Sequence, residues 1–93
     1  MKIIWSPLSV ERLEEIYEYI SNDNDSAAKI FLDKIFEKIE SLTEYPQRGR
    51  KVPEVNREEV REVFFGRYRI IYRVIKNKII ILTTEVTQRS ILT

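Results

Sequence analysis

The chain has 93 residues and a nearly balanced charge, with 16 Lys and Arg against 15 Asp and Glu, so we expect one domain with a single core. It contains no cysteine and no histidine, which excludes disulfides, thiolate nucleophiles and the commonest metal ligand and general base; we expect no metal or cofactor. The first residues lack a leader pattern, and no apolar run approaches the ~18 residues that cross a bilayer, which favours a cytoplasmic protein that does not bind membranes.

The first half of the chain predicts a strand followed by two helices. Residues 2–5 form a short apolar run that is typical of a strand, and Ser6 is placed to cap a helix whose first turn accepts Pro7. Apolar residues at helical spacing predict that this helix ends near Ser21. A polar turn follows, and a second amphipathic helix is ended by Pro46. Helices joined so tightly form an antiparallel hairpin.

The second half of the chain predicts strands. Residues 47–56 carry a glycine and a proline and are expected to form a loop. Strands are predicted at 60–65, 68–75 and 79–86, joined by turns at Gly66-Arg67 and Lys76-Asn77-Lys78. These elements predict an α+β fold of order β-αα-βββ, with the N-terminal strand and an antiparallel helical hairpin packed on a twisted, mainly antiparallel sheet. The other face of the sheet is left open.

The stretch GRYRIIYRV, residues 66–74, distributes its side chains between two faces. Because strand side chains alternate, one face is apolar and can be buried against the helices, and it carries Tyr68, Ile70, Tyr72 and Val74. The other face carries all three charged side chains of the stretch, Arg67, Arg69 and Arg73, together with Ile71. This second face is typical of a recognition surface.

Charge is divided unevenly along the chain. Residues 1–47 hold 5 Lys and Arg against 10 Asp and Glu, whereas residues 48–93 hold 11 against 5. In the second half arginine outnumbers lysine 8 to 3, and guanidinium groups pair bidentately with carboxylates and phosphates. The pattern favours an anionic partner, with a merely solvated surface as the alternative.

An ordered series of motifs spans nearly the whole chain. It consists of W-S-P before the first helix, NDNDSAAKIF at the second, then Y-P-x-x-G-R-x-V-P-E, R-E-V and Y-R-I-I-Y. This series resembles the ParE/RelE toxin superfamily of bacterial toxin–antitoxin systems. The resemblance implies one of two activities. RelE-like members cut mRNA on the ribosome, and ParE-like members poison DNA gyrase and stabilise its cleaved complex with DNA.

For a RelE-like endonuclease, the resemblance implies a phosphate site of Arg61, Arg69 and Arg89. Glu54 is then a possible general base, and Glu85 a second one. The alternative for Glu54 is an ion pair with Arg50 or Arg69.

Two departures count against the nuclease. The last residues, 87–93, contain neither the tyrosine nor the histidine that such nucleases often carry, and Val63 stands where a second cation is expected. The pI of about 7.9 is also below that of a strongly basic RNA binder.

The signatures G-R-x-V-P-E and R-E-V resemble the ParE branch, which implies a toxin that inhibits gyrase by binding and needs no active site. Arginine together with tyrosine is enriched at interface hot spots. The candidate target-binding residues are Arg48, Arg50, Lys51, Arg67, Arg69, Arg73 and Arg89. The alternatives are the ribosome-dependent mRNA endonuclease and an inactive toxin-derived protein that only binds its antitoxin.

The resemblance also implies a cognate antitoxin whose C-terminal segment folds on binding. The apolar candidates for its contact are Phe36, on the flank of the second helix, and Phe65, Ile71 and Ile75 on the sheet. Phe64 and Phe65 are adjacent on one strand, so one of them must lie off the helix-covered face. Burial against the first strand or in a homodimer is the alternative for these side chains.

Overall fold

The structure is a computed structural model that describes residues 1–87. Its elements are β1 (Lys2–Trp5), α1 (Pro7–Ser21), α2 (Asp25–Ser41), β2 (Arg50–Lys51), β3 (Val60–Phe65), β4 (Tyr68–Ile75) and β5 (Lys78–Val86). The α+β class and the order of the main elements are confirmed. Strand β2 lies in the segment that was predicted as a loop. The sequence did not predict it, because two residues are too few to show an alternating pattern.

Polar side chains fix where the two helices begin. The Ser6 hydroxyl accepts a hydrogen bond from the Ser9 N–H at 3.0 Å and donates one to the Leu82 carbonyl in β5, also at 3.0 Å. The cap of α1 is therefore also a tether between helix and sheet. Asn24 caps α2 by accepting from the Ala27 N–H at 3.0 Å.

The five strands form one sheet of order β1-β5-β4-β3-β2. Strand β1 runs parallel to β5, and the other pairings are antiparallel, as predicted for the last three strands. The β3–β4 turn uses Gly66 in the left-handed region at φ +58°, and the β4–β5 turn uses Lys76 and Asn77 at positive φ. Lys78, which was predicted in this turn, is the first residue of β5.

The main core lies between the helices and one face of the sheet. Its buried residues are Leu13, Phe31, Ile35, Ile39, Leu42, Val63, Ile70, Tyr72, Ile79 and Ile81. Tyr68 and Val74 pack against this core, which confirms the face of β4 that was predicted to be buried. Within residues 1–87, no helix is long and apolar enough to span a membrane.

The opposite face of the sheet is partly covered by the chain after β2. Val52 packs there with Val60 and Ile71, and Leu82 borders this smaller cluster. A register shift between Ile71 and Tyr72 in the pairing with β5 leaves Leu82 without a direct partner. The face is therefore apolar at its middle, and its charged side chains lie around this cluster.

Candidate functional site

Arg69 of β4 lies at the centre of a cluster of ion pairs on the sheet face opposite the helices, which we call the open face. Within residues 1–87 its guanidinium contacts the carboxylates of Glu54, Glu62 and Glu85, each at 3.0 Å. Strand pairing creates this geometry, because Arg69 lies opposite Phe64 in β3 and opposite Glu85 in β5. Only 14% of the Arg69 side chain is exposed. We call Arg69 together with Glu54, Glu62 and Glu85 the Arg69 cluster.

Glu62 links two arginines of this surface, Arg50 and Arg69, through its two carboxylate oxygens. Its side chain is fully buried, one oxygen lies 3.0 Å from Arg69, and the other accepts a hydrogen bond from Arg50 Nε at 2.6 Å. The Arg50 guanidinium also lies over the Phe64 ring, 5.5 Å from its centroid. A buried carboxylate requires paired charges of this kind, because an isolated charge in the interior is very costly.

The carboxylates around Arg69 stabilise its protonated guanidinium. Burial by itself lowers the pKa of the guanidinium, but hydrogen bonds to Glu85 and Glu54, together with the negative charges of Glu54 and Glu62, outweigh this effect and raise the pKa above its usual value. The ion pair between Glu54 and Arg69, one of the alternatives drawn from the sequence, is present. Sequence reasoning missed Glu62. Alternation places it on the same face as Phe64, but only the pairing of Phe64 with Arg69 shows that this is the face of Arg69.

The structure does not bring Arg61 and Arg69 together. Arg61 lies opposite Tyr72 and Arg69 lies opposite Phe64, so the two side chains leave opposite faces of the sheet. Arg61 donates to the Gly49 carbonyl at 2.8 Å and pairs with Glu58 at 2.9 Å. Arg89, the third predicted phosphate ligand, lies outside the described residues.

A second polar centre lies at the turn between α2 and β2. The buried Tyr72 hydroxyl donates to the Pro46 carbonyl at 2.7 Å and accepts from the Gly49 N–H at 3.0 Å. A Cβ on Gly49 would lie 2.5 Å from the Glu62 carbonyl oxygen and 2.7 Å from the Tyr72 hydroxyl. Burial raises the pKa of Tyr72, which keeps the donated proton in place. These contacts explain why glycine stands at position 49 of the Y-P-x-x-G motif.

Other predicted target-binding residues differ in how their charge is balanced. Lys51 lies 3.6 Å from Glu58, and Arg67 is exposed in the β3–β4 turn. The Nε of Arg73 is buried without a hydrogen-bond partner among the residues described. The pKa of the Glu59 carboxyl is lowered, first by its own backbone N–H and then by Arg57 and Arg73.

An apolar groove lies between α1 and α2 beside the end of β1. Its volume is about 580 Å³, and its lining consists of Trp5, Val10, Leu13, Glu14, Tyr17, Glu18, Leu32 and Phe36. Phe36 is 46% exposed, and its ring meets the Trp5 ring edge-to-face at 5.7 Å. We call this surface the interhelical groove. Sequence reasoning found only Phe36, because the groove forms where three separate elements meet.

Comparison with known proteins shows which family the chain belongs to. The family model described as the ParE toxin of type II toxin–antitoxin systems, parDE, matches residues 3–91. The chain belongs to the ParE toxin family. It is thus the toxin component of a type II toxin–antitoxin system. Among solved structures, its fold is similar to a chain of the chromosomal ParDE toxin–antitoxin system from P. aeruginosa, with a TM-score of 0.77, 21% identity, and coverage of 95% of this chain and 97% of that chain. No curated protein sequence matches it.

In this ParE-family toxin the predicted antitoxin-binding residues fall on separate surfaces. Phe36 lines the interhelical groove, whereas Ile71 and Ile75 lie on the opposite side of the sheet. Phe65 packs against the main core, 6.3 Å from the Phe31 ring, and Phe64 is the phenylalanine that lies on the open face. No group of three metal-ligating side chains lies within the part of the chain that the structure describes.

Proposed function

We propose that this ParE-family toxin inhibits DNA gyrase by binding it and stabilising its cleaved DNA complex, and that a cognate antitoxin neutralises it. The main support is family membership, and it is strengthened by the Arg69 cluster, which counts against the alternative of RNA cleavage. Its central arginine holds three carboxylates within residues 1–87. That arrangement suits a rigid binding surface better than a phosphate-cleaving site.

The residues of the Arg69 cluster are poorly suited to RNA cleavage. Attack of a ribose 2′-hydroxyl on the adjacent phosphate needs a base, an acid and cations that stabilise the developing negative charge. A phosphate at Arg69 would approach Glu54, Glu62 and Glu85, whose like charges repel it. The mRNA endonuclease therefore receives less support than the gyrase inhibitor.

The proposed inhibition is tested with purified gyrase, relaxed plasmid and ATP. We expect supercoiling to fall as the toxin concentration rises, and to recover when the toxin is first mixed with its antitoxin. The control is the same titration with toxin that has been heat-denatured. Unchanged supercoiling with folded toxin that binds its antitoxin would contradict the proposal.

The interhelical groove is the surface that best fits an antitoxin segment. Its exposed apolar residues include Phe36 and Val10, at 46% and 41%. A disordered segment that folds into an amphipathic helix binds such grooves through regularly spaced apolar anchors. The similar fold in a ParDE toxin–antitoxin system also supports an antitoxin partner.

Replacing Phe36 with alanine is expected to weaken antitoxin binding by about tenfold or more, because truncating an aromatic anchor commonly costs over ~1.4 kcal/mol. The matched control is Ile30→Ala, which removes another exposed apolar side chain of α2 that does not line the groove. Antitoxin affinity is measured by isothermal titration calorimetry. Equal affinities of the two variants would rule out Phe36 as an anchor.

A further inference from the structure

The turn formed by residues 45–49 exposes the side chains of Tyr45, Gln47 and Arg48 and is held in place by hydrogen bonds. Besides the two hydrogen bonds of the Tyr72 hydroxyl, the Arg48 N–H donates to the Tyr45 carbonyl at 3.0 Å and the Gly49 carbonyl accepts from Arg61 at 2.8 Å. A turn that only connects a helix to a strand does not require a buried phenol beneath it. The contacts therefore fix the direction of the side chains that the turn carries.

The turn presents an aromatic ring together with a charge. Tyr45 is 58% exposed, and the Arg48 guanidinium lies over its ring at 5.4 Å from the centroid. Within residues 1–87 no carboxylate pairs with Arg48, whose guanidinium makes a long hydrogen bond of 3.4 Å to the Ser41 hydroxyl. The nearby cations that do hold carboxylates are Arg50, Lys51, Arg57, Arg61 and Arg69.

A concave surface adjoins this pair. It has a volume of about 550 Å³, and its lining consists of Met1, Glu44, Tyr45, Pro46, Gln47, Arg48 and Val74. Apolar side chains beside an arginine and a tyrosine have the composition of a protein interface core. Nucleic-acid binding requires a row of cations that are not already neutralised, whereas Arg50, Lys51 and Arg61 near this surface each hold a carboxylate. These features favour a protein partner.

We propose that Arg48 and Tyr45 bind a carboxylate flanked by apolar side chains on the protein that the toxin inhibits, and that Tyr72 is the positioning residue for this contact. The inference rests on the proposed function and adds the residues and the kind of partner group. Arg48 supplies a bidentate charge-assisted hydrogen bond, and Tyr45 supplies apolar area. Tyr72 contributes by holding Pro46 and Gly49 on either side of Arg48.

The test measures binding of the toxin to purified gyrase without DNA, by biolayer interferometry. We expect Arg48→Ala to weaken binding about tenfold or more, since truncating an interface arginine often costs that much. Arg48→Lys should recover only part of this loss. Tyr72→Phe should also weaken gyrase binding while leaving antitoxin affinity unchanged, a separation that a general loss of stability would not produce. Lys34→Ala, on the exposed side of α2, is the control and should bind like the original chain.

The possible failures are distinguishable. If the original chain binds gyrase and Arg48→Ala binds equally well, this inference is wrong and the proposed function stands. Binding that appears only with DNA and falls steeply with salt would show a nucleic-acid contact and would also overturn it. If the original chain does not bind gyrase at all, the proposed function fails and the inference fails with it.

Discussion

Replacing Arg69 with alanine is expected to destabilise the protein by an amount near the lower end of the roughly 3–5 kcal/mol seen when one partner of a buried ion pair is removed. The cost arises from Glu62, whose fully buried carboxylate would keep, among residues 1–87, only Arg50, a side chain that is 52% exposed. The free energy of unfolding is measured by urea denaturation, where a shifted midpoint at constant slope reports stability.

Two sets of variants make this prediction specific. Glu54→Ala and Glu85→Ala remove exposed partners of Arg69, with 61% and 43% of their side chains accessible, and each should cost less than about 1 kcal/mol. The double variant Arg69→Met with Glu62→Met should recover much of the stability, because apolar replacement of a whole buried pair is often neutral. If Arg69→Ala costs no more than Glu54→Ala, the Arg69 cluster does not stabilise the fold.

Replacing Gly49 with alanine is expected to destabilise the protein by about 1–3 kcal/mol through overpacking. The added Cβ would lie 2.5 Å from a β3 carbonyl oxygen and 2.7 Å from the Tyr72 hydroxyl. Neither group can move freely, since the first lies in the sheet and the second is buried and bonded to Pro46. Any shift of the turn that relieves these contacts would weaken the hydrogen bond from the Gly49 N–H to the Tyr72 hydroxyl, which is part of the expected cost.

The matched control for this substitution is Gly66→Asn. Gly66 has φ +58° and no atom within 4 Å of an added Cβ, and asparagine tolerates this left-handed conformation. We expect this variant to unfold at nearly the same denaturant concentration as the original chain. A Gly49→Ala variant as stable as Gly66→Asn would show that the turn is free to move.

Local signals in the sequence were enough to predict most of the fold. Ser6 and Pro7 mark the start of α1, and alternation in β4 separates its buried face from its charged face. Both signals lie within a few residues of the structure they define. Strand β2 was not predictable in this way, because its two residues pair with β3 only after the turn before them has been fixed.

The candidate site was less predictable, because it depends on register and on loops. Alternation alone could not decide whether Phe64 or Phe65 faces the helices, whereas the pairing of Phe65 with Tyr68 places Phe65 on the helix side. The same register places Glu62 on the face of Arg69 and within 3.0 Å of its guanidinium. Glu54 reaches Arg69 from a loop whose path no local pattern specifies.

Arg48 shows a further limit of sequence reasoning. In the sequence it is one of several arginines in a basic stretch, and it stands at an unspecified position of Y-P-x-x-G-R-x-V-P-E, in which Arg50 is the named arginine. The difference arises in three dimensions, where Glu62 neutralises Arg50 while Arg48 lies over the exposed Tyr45 ring. Charge available for recognition is thus a property of the fold and not of composition.

The most direct test of the central claim is a cleavage assay that combines purified gyrase, supercoiled plasmid and this toxin, stopped with denaturant and protease. Our account predicts that linear DNA accumulates with toxin concentration, because the toxin stabilises the cleaved complex. A parallel reaction with ribosomes and mRNA should leave the message intact. Cut mRNA together with unbroken plasmid would contradict the account and establish the endonuclease instead.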